Sequence, residues 1–174
     1  EIRNIVMVRS VTRMSHASGN VVLGALPPSG GKGLFLCDGK VSDPERGPMI
    51  SAPVVEKHRL QQEKIRKVAT IFETSPFNSY TGPENPELLI ITSSACRLYS
   101  DEAVSLLGAE NRVGILKLGT TWPVPPILVK RHLMATEKIL IVEEVLPFLE
   151  EQVKVLTAEQ ARDIGIKTFY GKND

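Results

Sequence analysis

A three-layer α/β fold, with a mostly parallel sheet and helices on both faces, is what the second half of this 174-residue chain predicts. Three observations lead there. Val113–Leu118 and Ile139–Val142 are short apolar runs rich in β-branched residues, the pattern of strands covered on both faces. A segment of helical length and amphipathic spacing separates them. Strands and helices then alternate to the end of the chain, which is the order of βαβ units.

The elements follow in order. Ile2–Val8 reads as a buried strand, followed by the small and polar stretch RSVTRMSHASGN and by Val21-Val22-Leu23. From Gly24 to Pro53, glycine and proline are too dense for regular structure, so an extended linker or long loop is expected. Val54–Thr74 carries Ile65, Val68, Ala69 and Phe72 at helical spacing. Its Lys57, Arg59, Lys64, Arg66 and Lys67 read as a solvated basic face. Ser75–Pro86 reads as a loop. Leu88–Thr92 is the first strand of the α/β domain. Tyr99–Gly108 is a helix with Asp101 and Glu102 in its first turn, where the helix dipole favours negative charge, and with Gly108 placed to end it. Arg112–Leu118 is a strand, Pro126–Thr136 a helix opened by a tolerated proline, and Lys138–Val142 a strand. Phe148–Leu156 is a helix, Ala158–Ile164 a short one, and Lys167–Tyr170 an edge strand.

Composition narrows the function classes. The 21 basic and 20 acidic residues leave a net charge of +1, which does not suggest a nucleic-acid surface. No apolar run has bilayer length, and no signal peptide is visible. Cys37 and Cys96 stand far apart with no C-x-x-C, so the chain encodes no local zinc or iron–sulfur motif, and both read as reduced structural thiols. The first residue is Glu rather than Met, and the end at FYGKND is abrupt. A piece of a longer polypeptide is the expectation.

Residue chemistry yields few candidate sites. Arg13, Ser15 and His16 lie in a dense polar group able to bind a carboxylate or phosphate, although a loop histidine is more often structural. Thr92-Ser93-Ser94-Ala95 follows a strand and suits a helix cap. Thr121 and Trp122 sit in the proline-stiffened GTTWPVPP loop. That loop is a docking surface or ligand wall, or else its Trp fills the core. Glu143-Glu144 could serve acid–base chemistry or a positive partner, but capping the next helix fits better without a nearby His or metal motif. No nucleophile–base–acid set can be assembled. No catalytic, cofactor-binding or metal residue is assigned.

Several stretches together resemble the alpha subunits of indolepyruvate ferredoxin oxidoreductases, within the 2-oxoacid:ferredoxin oxidoreductases. They are VRSVTRMSH at Val8–His16, SDPER at Ser42–Arg46, and Ser75-Pro76-Phe77-Asn78. VGILKLGTTWPVP at Val113–Pro125 and ILIVEEVLPFLEEQV at Ile139–Val153 are the most specific, and Tyr170-Gly171-Lys172 also fits. The resemblance implies a fragment of a thiamine-diphosphate enzyme, with Mg and iron–sulfur clusters in the parent, that converts aryl pyruvates to acyl-CoA and reduces ferredoxin. It implies that residues 1–23 are the tail of a pyrimidine-binding domain and 24–86 a linker with one helix. Residues 87–174 would form a domain similar to the C-terminal domain of transketolase, with a structural and assembly role. It implies no cofactor site within this chain. Its partners would be the other domains of the subunit, a beta (gamma-type) subunit and ferredoxin for the whole enzyme, with a homodimer as a further option. No nucleic acid or membrane is implied, and the location would be cytoplasmic. A stand-alone α/β binding module, or the C-terminal domain of a transketolase or 2-oxoacid dehydrogenase beta subunit, is the alternative.

Overall fold

The computed structural model describes residues 6–25 and 53–173. The chain divides into two compact units, residues 1–62 and 63–174. In the first, α1 (Thr12–Ser15) is a single helical turn. Val6, Met7 and Val8 are exposed and outside any strand, which corrects the strand expected over Ile2–Val8 for the residues described. Most of the expected linker, residues 26–52, lies outside the described residues. Helix α2 (Pro53–Phe72) matches the expected helix, and its stripe of Ile65, Val68, Ala69 and Phe72 is half-buried.

The second unit contains a five-stranded sheet: β1 (Ser79–Thr81), β2 (Leu88–Thr92), β3 (Val113–Lys117), β4 (Lys138–Val142) and β5 (Thr168–Tyr170). Their order is β1-β3-β2-β4-β5. Strands β2 to β5 run parallel, with Ile90 opposite Ile115 on one side and Leu140 on the other. Strand β1 is antiparallel to β3. It lies within the stretch read as a loop, and the correction has a simple cause: three residues, Ser-Tyr-Thr, are too few to show alternation.

The apolar runs bury both faces, as two-sided strands must. Leu89, Ile91, Leu116, Ile139 and Ile141 point to one core, which also holds Val129 and Leu133 of α4 (Pro126–Met134) and Leu149, Val153 and Leu156 of α5 (Phe148–Glu159). Each such side chain contributes about 2 kcal/mol by leaving water. Ile90 and Ile115 point the other way, onto Val104 of α3 (Cys96–Leu106) and onto Ala109. Short helix α6 (Ala161–Ile164) precedes β5.

Helix α3 starts three residues earlier than expected, at Cys96, so Asp101 and Glu102 lie outside its first turn. Asp101 instead accepts from Arg97 at 2.6 Å, one turn before it. The expected ending holds. Gly108 sits at φ +57, its N–H reaches the Ser105 carbonyl, and the Ala109 N–H reaches that of Val104. This is the paired closure that a left-handed glycine permits.

Candidate functional site at the carboxyl edge of the sheet

Because β2, β3 and β4 are parallel, their three following loops emerge at one edge. From β2 the chain passes to β3 on one side, and from β4 to β5 on the other. The carboxyl ends of neighbours β2 and β4 therefore form the switch point at which α/β sheets place ligands.

The β2–α3 loop does not use its hydroxyls as caps. Thr92 Oγ1 donates to the Val142 carbonyl at 2.8 Å, tying β2 to β4. Ala95 is the residue before the helix, and no side chain caps it. The capping expectation for Thr92–Ala95 is thus corrected. The helix begins one turn sooner than assumed, so these residues are spent in the bend itself. Ser94 takes φ +53. Cys96 is buried, and its thiol is pushed up first by that burial and then by the Glu144 charge.

The β3–α4 loop is held from a distance. Asn78 Oδ1 accepts the Gly119 and Thr120 N–H groups at 2.9 and 3.1 Å. Its Nδ2 donates to the Phe72 carbonyl at 2.9 Å and lies 2.8 Å from Thr120 Oγ1. A side chain at Gly119 would meet the Phe77 carbonyl oxygen at 2.5 Å, which is why glycine stands there. The Glu73 carboxylate then takes the first free N–H groups of α4, Ile127 at 2.9 Å and Leu128 at 2.8 Å. Acceptors at a helix start satisfy orphan donors and favour the dipole. On this scaffold Thr121 is half-buried and Trp122 is 57% exposed. Trp122 does not fill the core. The Trp122–Pro123 peptide is cis.

The β4–α5 loop is held locally. Glu143 accepts the Leu149 and Glu150 N–H groups at 2.7 and 2.9 Å, so it caps α5. Glu144 is exposed. Val145, at φ +61, is exposed beside Leu146. Ser94 and Val145 are the two non-glycine residues with positive φ among the described residues, and both flank the switch point. For a β-branched residue this is costly.

Thr121, Trp122, Glu143 and Glu144 therefore share one edge. Arg13, Ser15 and His16 belong to the other unit, Arg13 and Ser15 on the exposed α1 turn and His16 just after it, and Ser15 Oγ lies 2.8 Å from Ser10 Oγ. Sequence reasoning missed Glu73, Asn78 and Glu150. Glu150 is wholly buried, and its carboxylate takes Lys154 Nζ at 2.5 Å and the Lys172 N–H at 2.7 Å. It also missed a cleft of about 440 Å³ beside α4, where Tyr80 stacks on His132 at 4.3 Å. Burial and then Arg131 push His132 down to about 4, so its ring is neutral near pH 7. At the carboxyl edge the polar side chains Thr92, Asn78, Glu73 and Glu143 are spent on holding the backbone. Outward the edge offers three exposed apolar side chains, Trp122, Val145 and Leu146, beside the exposed Glu144.

No family model matches the chain. Curated relatives do. Subunit IorA of indolepyruvate oxidoreductase from Pyrococcus abyssi is 40% identical over 162 residues, 93% of this chain and 25% of that protein. The Pyrococcus horikoshii IorA is 42% identical over 151 residues, 87% of this chain and 23% of that protein. The chain matches a segment of indolepyruvate oxidoreductase subunit IorA. It spans about a quarter of the length of these IorA relatives. A solved 2-oxoglutarate:ferredoxin oxidoreductase from Magnetococcus marinus covers 78% of the chain at 18% identity and a TM-score of 0.50, which supports the α/β fold. The chain covers 22% of that protein. No helix among the described residues is long and apolar enough to cross a membrane.

Proposed function

We propose that this chain is the structural and assembly segment of an IorA-type alpha subunit. The parent enzyme would be a thiamine-diphosphate-dependent oxidoreductase that decarboxylates aryl pyruvates to acyl-CoA and passes electrons to ferredoxin. The carrying observation is the 40% identity to IorA over 93% of the chain. The geometry supports an assembly role, because the carboxyl edge is rigidly held yet presents apolar side chains rather than a reactive set.

Thiamine diphosphate with its metal needs free oxygen ligands and anion-holding donors. The described acidic groups nearest the helix starts, Glu73 and Glu143, are already spent on backbone N–H groups, and Glu150 is closed by Lys154 and Lys172. These residues do not fit the cofactor. It would sit in other parts of the parent, as would the iron–sulfur clusters. The other domains of the subunit and a beta subunit are the partners that Thr121, Trp122 and Glu144 would meet. Arg13, Ser15 and His16 would face a neighbouring domain in the same enzyme.

The test has two arms. Calorimetry of this chain with thiamine diphosphate and Mg²⁺ is expected to give no saturable heat. In the full-length subunit co-expressed with its beta subunit, Trp122→Ala is expected to lower the yield of assembled complex while the purified complex keeps its KM for the 2-oxoacid. Micromolar cofactor binding by this chain, or a changed KM with normal assembly, sinks the reading.

A further inference from the structure

Helices α4 and α5 lie side by side, and their outward surfaces form one continuous face. A groove of about 390 Å³ runs along α5 beside Val124, and one of about 500 Å³ runs along α4. Glu159 of the first is followed in the chain by Gln160 of the second, and Val124 of the first lies two residues before Pro126 of the second. Along the face run three exposed apolar side chains: Val155 of α5, and Ile127 and Met134 of α4, 56%, 71% and 54% exposed. Exposed apolar groups gathered on one face mark a contact surface.

The charges on this face are divided. Its α5 side carries Glu151 and Glu159, both exposed and neither with a cationic partner among the described residues. Its α4 side carries Lys130 and Arg131. Lys130 pairs with Asp163, but Arg131 has no acidic partner among the described residues. A face that is acidic on its α5 side and basic on its α4 side, with exposed apolar side chains on both, is complementary to itself. Turned by a two-fold rotation, each acidic side meets a basic side twice over, which is the isologous geometry of a symmetric dimer.

We infer that the α4/α5 face binds the same face of a second copy of this chain, with Glu151 and Glu159 of each copy set against Arg131 of the other. Nothing in this pairing depends on the proposed enzyme role. Helices of nine and twelve residues make a small contact, so the association is of the weak class, with a Kd on the order of 100 µM.

Charge exchange tests the pairing directly. Sedimentation of the unaltered chain up to about 1 mM is expected to show a reversible monomer–dimer equilibrium. Glu151→Arg with Glu159→Arg sets like charges against Arg131 and should weaken self-association at least tenfold. Arg131→Glu should do the same by the opposite reversal. Mixed together, these two variants should regain the dimer, because each reversed side then meets its opposite. Met134→Ser, on the same face and 54% exposed, should weaken association of the unaltered sequence, and circular dichroism checks that every variant is folded. A chain that stays monomeric at all concentrations overturns the inference. So does a dimer indifferent to both reversals, or a pair of variants that fails to recombine. A monomeric result with the enzyme-assembly test intact would overturn this pairing and leave the assembly reading standing, so the two proposals fail separately.

Discussion

Helices α4 and α5 are neighbours that solve one problem in two ways. Each begins at the carboxyl edge with unpaired N–H groups, and each meets a glutamate carboxylate. For α5 that glutamate is Glu143, six residues before Leu149 in the same loop. For α4 it is Glu73, 54 residues before Ile127 and on the far side of β1, β2 and β3. The loop before α4 leans on distant residues again through Asn78, 42 residues from Thr120. A cap within its own loop forms as soon as the helix does. A cap from a distance forms only when the sheet is complete, so it ties the start of α4 to the finished fold. That difference makes the Trp122 loop a reporter of the whole unit and the Val145 loop a reporter of α5 alone.

The largest expected effect lies on α5, at the point where its local character ends. Glu150 sits in the first turn but holds the chain end through Lys172 and Asn173, and its carboxylate leaves no room for a side chain at Gly171. Glu150→Ala should cost about 3 kcal/mol in urea unfolding, because the Lys154 ammonium and the Lys172 N–H both lose their acceptor. The Lys154 contact holds the Glu150 carboxyl below its ordinary value against the effect of burial, and the Lys172 and Asn173 N–H groups add to it. A depressed carboxyl contributes stability above the unfolded pKa, here near 4.5, and loses it as pH falls through the folded value. Acidification below that point should therefore destabilise the natural chain more steeply than Glu150→Ala. Equal slopes would mean that the carboxylate is not held as described.

Asn78→Ala comes next, at about 2 kcal/mol, since it leaves the part-buried Thr120 N–H and the Phe72 carbonyl without this partner. It should also speed hydrogen exchange at Gly119 and Thr120 while leaving Leu149 protected. Glu73→Gln and Glu143→Gln should each cost about 1 kcal/mol, the ordinary worth of a helix-start acceptor. They should differ in reach. Glu143→Gln should loosen only the first turn of α5. Glu73→Gln should loosen α4 and the end of α2 together. If both substitutions stay local, the contrast between the two helices is structural only and carries no energetic meaning.

The same contrast explains what the sequence made legible. β2, β3 and β4 could be read nearly to the residue because their two-sided burial writes a local run of Leu and Ile. Glu143 could be weighed as a cap because its helix starts only five residues on. Gly108 could be placed because left-handed closure needs glycine. Glu73 and Asn78 were invisible as holders of the Trp122 loop. Their partners lie across three strands, and nothing in the spacing of residues 73–78 points to Gly119 or Leu128. The Ser-Pro-Phe-Asn turn was noticed only as a likeness, with no role attached to its Asn. β1 was lost because a three-residue edge strand has too little pattern to detect. The start of α3 was misjudged because Cys96-Arg97-Leu98 lacks a capping residue, and the acidic pair five residues on offered a false beginning.

The smallest expected effect probes the strain in the Val145 loop. Val145 stands at φ +61 with its side chain 86% exposed, so its own packing does not hold it there. The constraint comes from either side, where Glu143 binds the start of α5 and the Leu146 N–H reaches the Glu144 carbonyl at 2.9 Å. Asparagine tolerates the left-handed region far better than a β-branched residue. Val145→Asn should therefore stabilise the chain by about 0.5–1 kcal/mol in urea unfolding, with the α5 cap unchanged. Asn78→Ala relieves no comparable strain, so no gain of this kind is available in the Trp122 loop. The sign also has a functional reading. A valine standing where asparagine would be more stable fits a use for its exposed apolar group, and assembly of the full-length subunit should then weaken in Val145→Asn although the chain itself is firmer. Loss of stability in Val145→Asn would show that the loop is not strained, and the difference between the two loops would reduce to the distance of their caps.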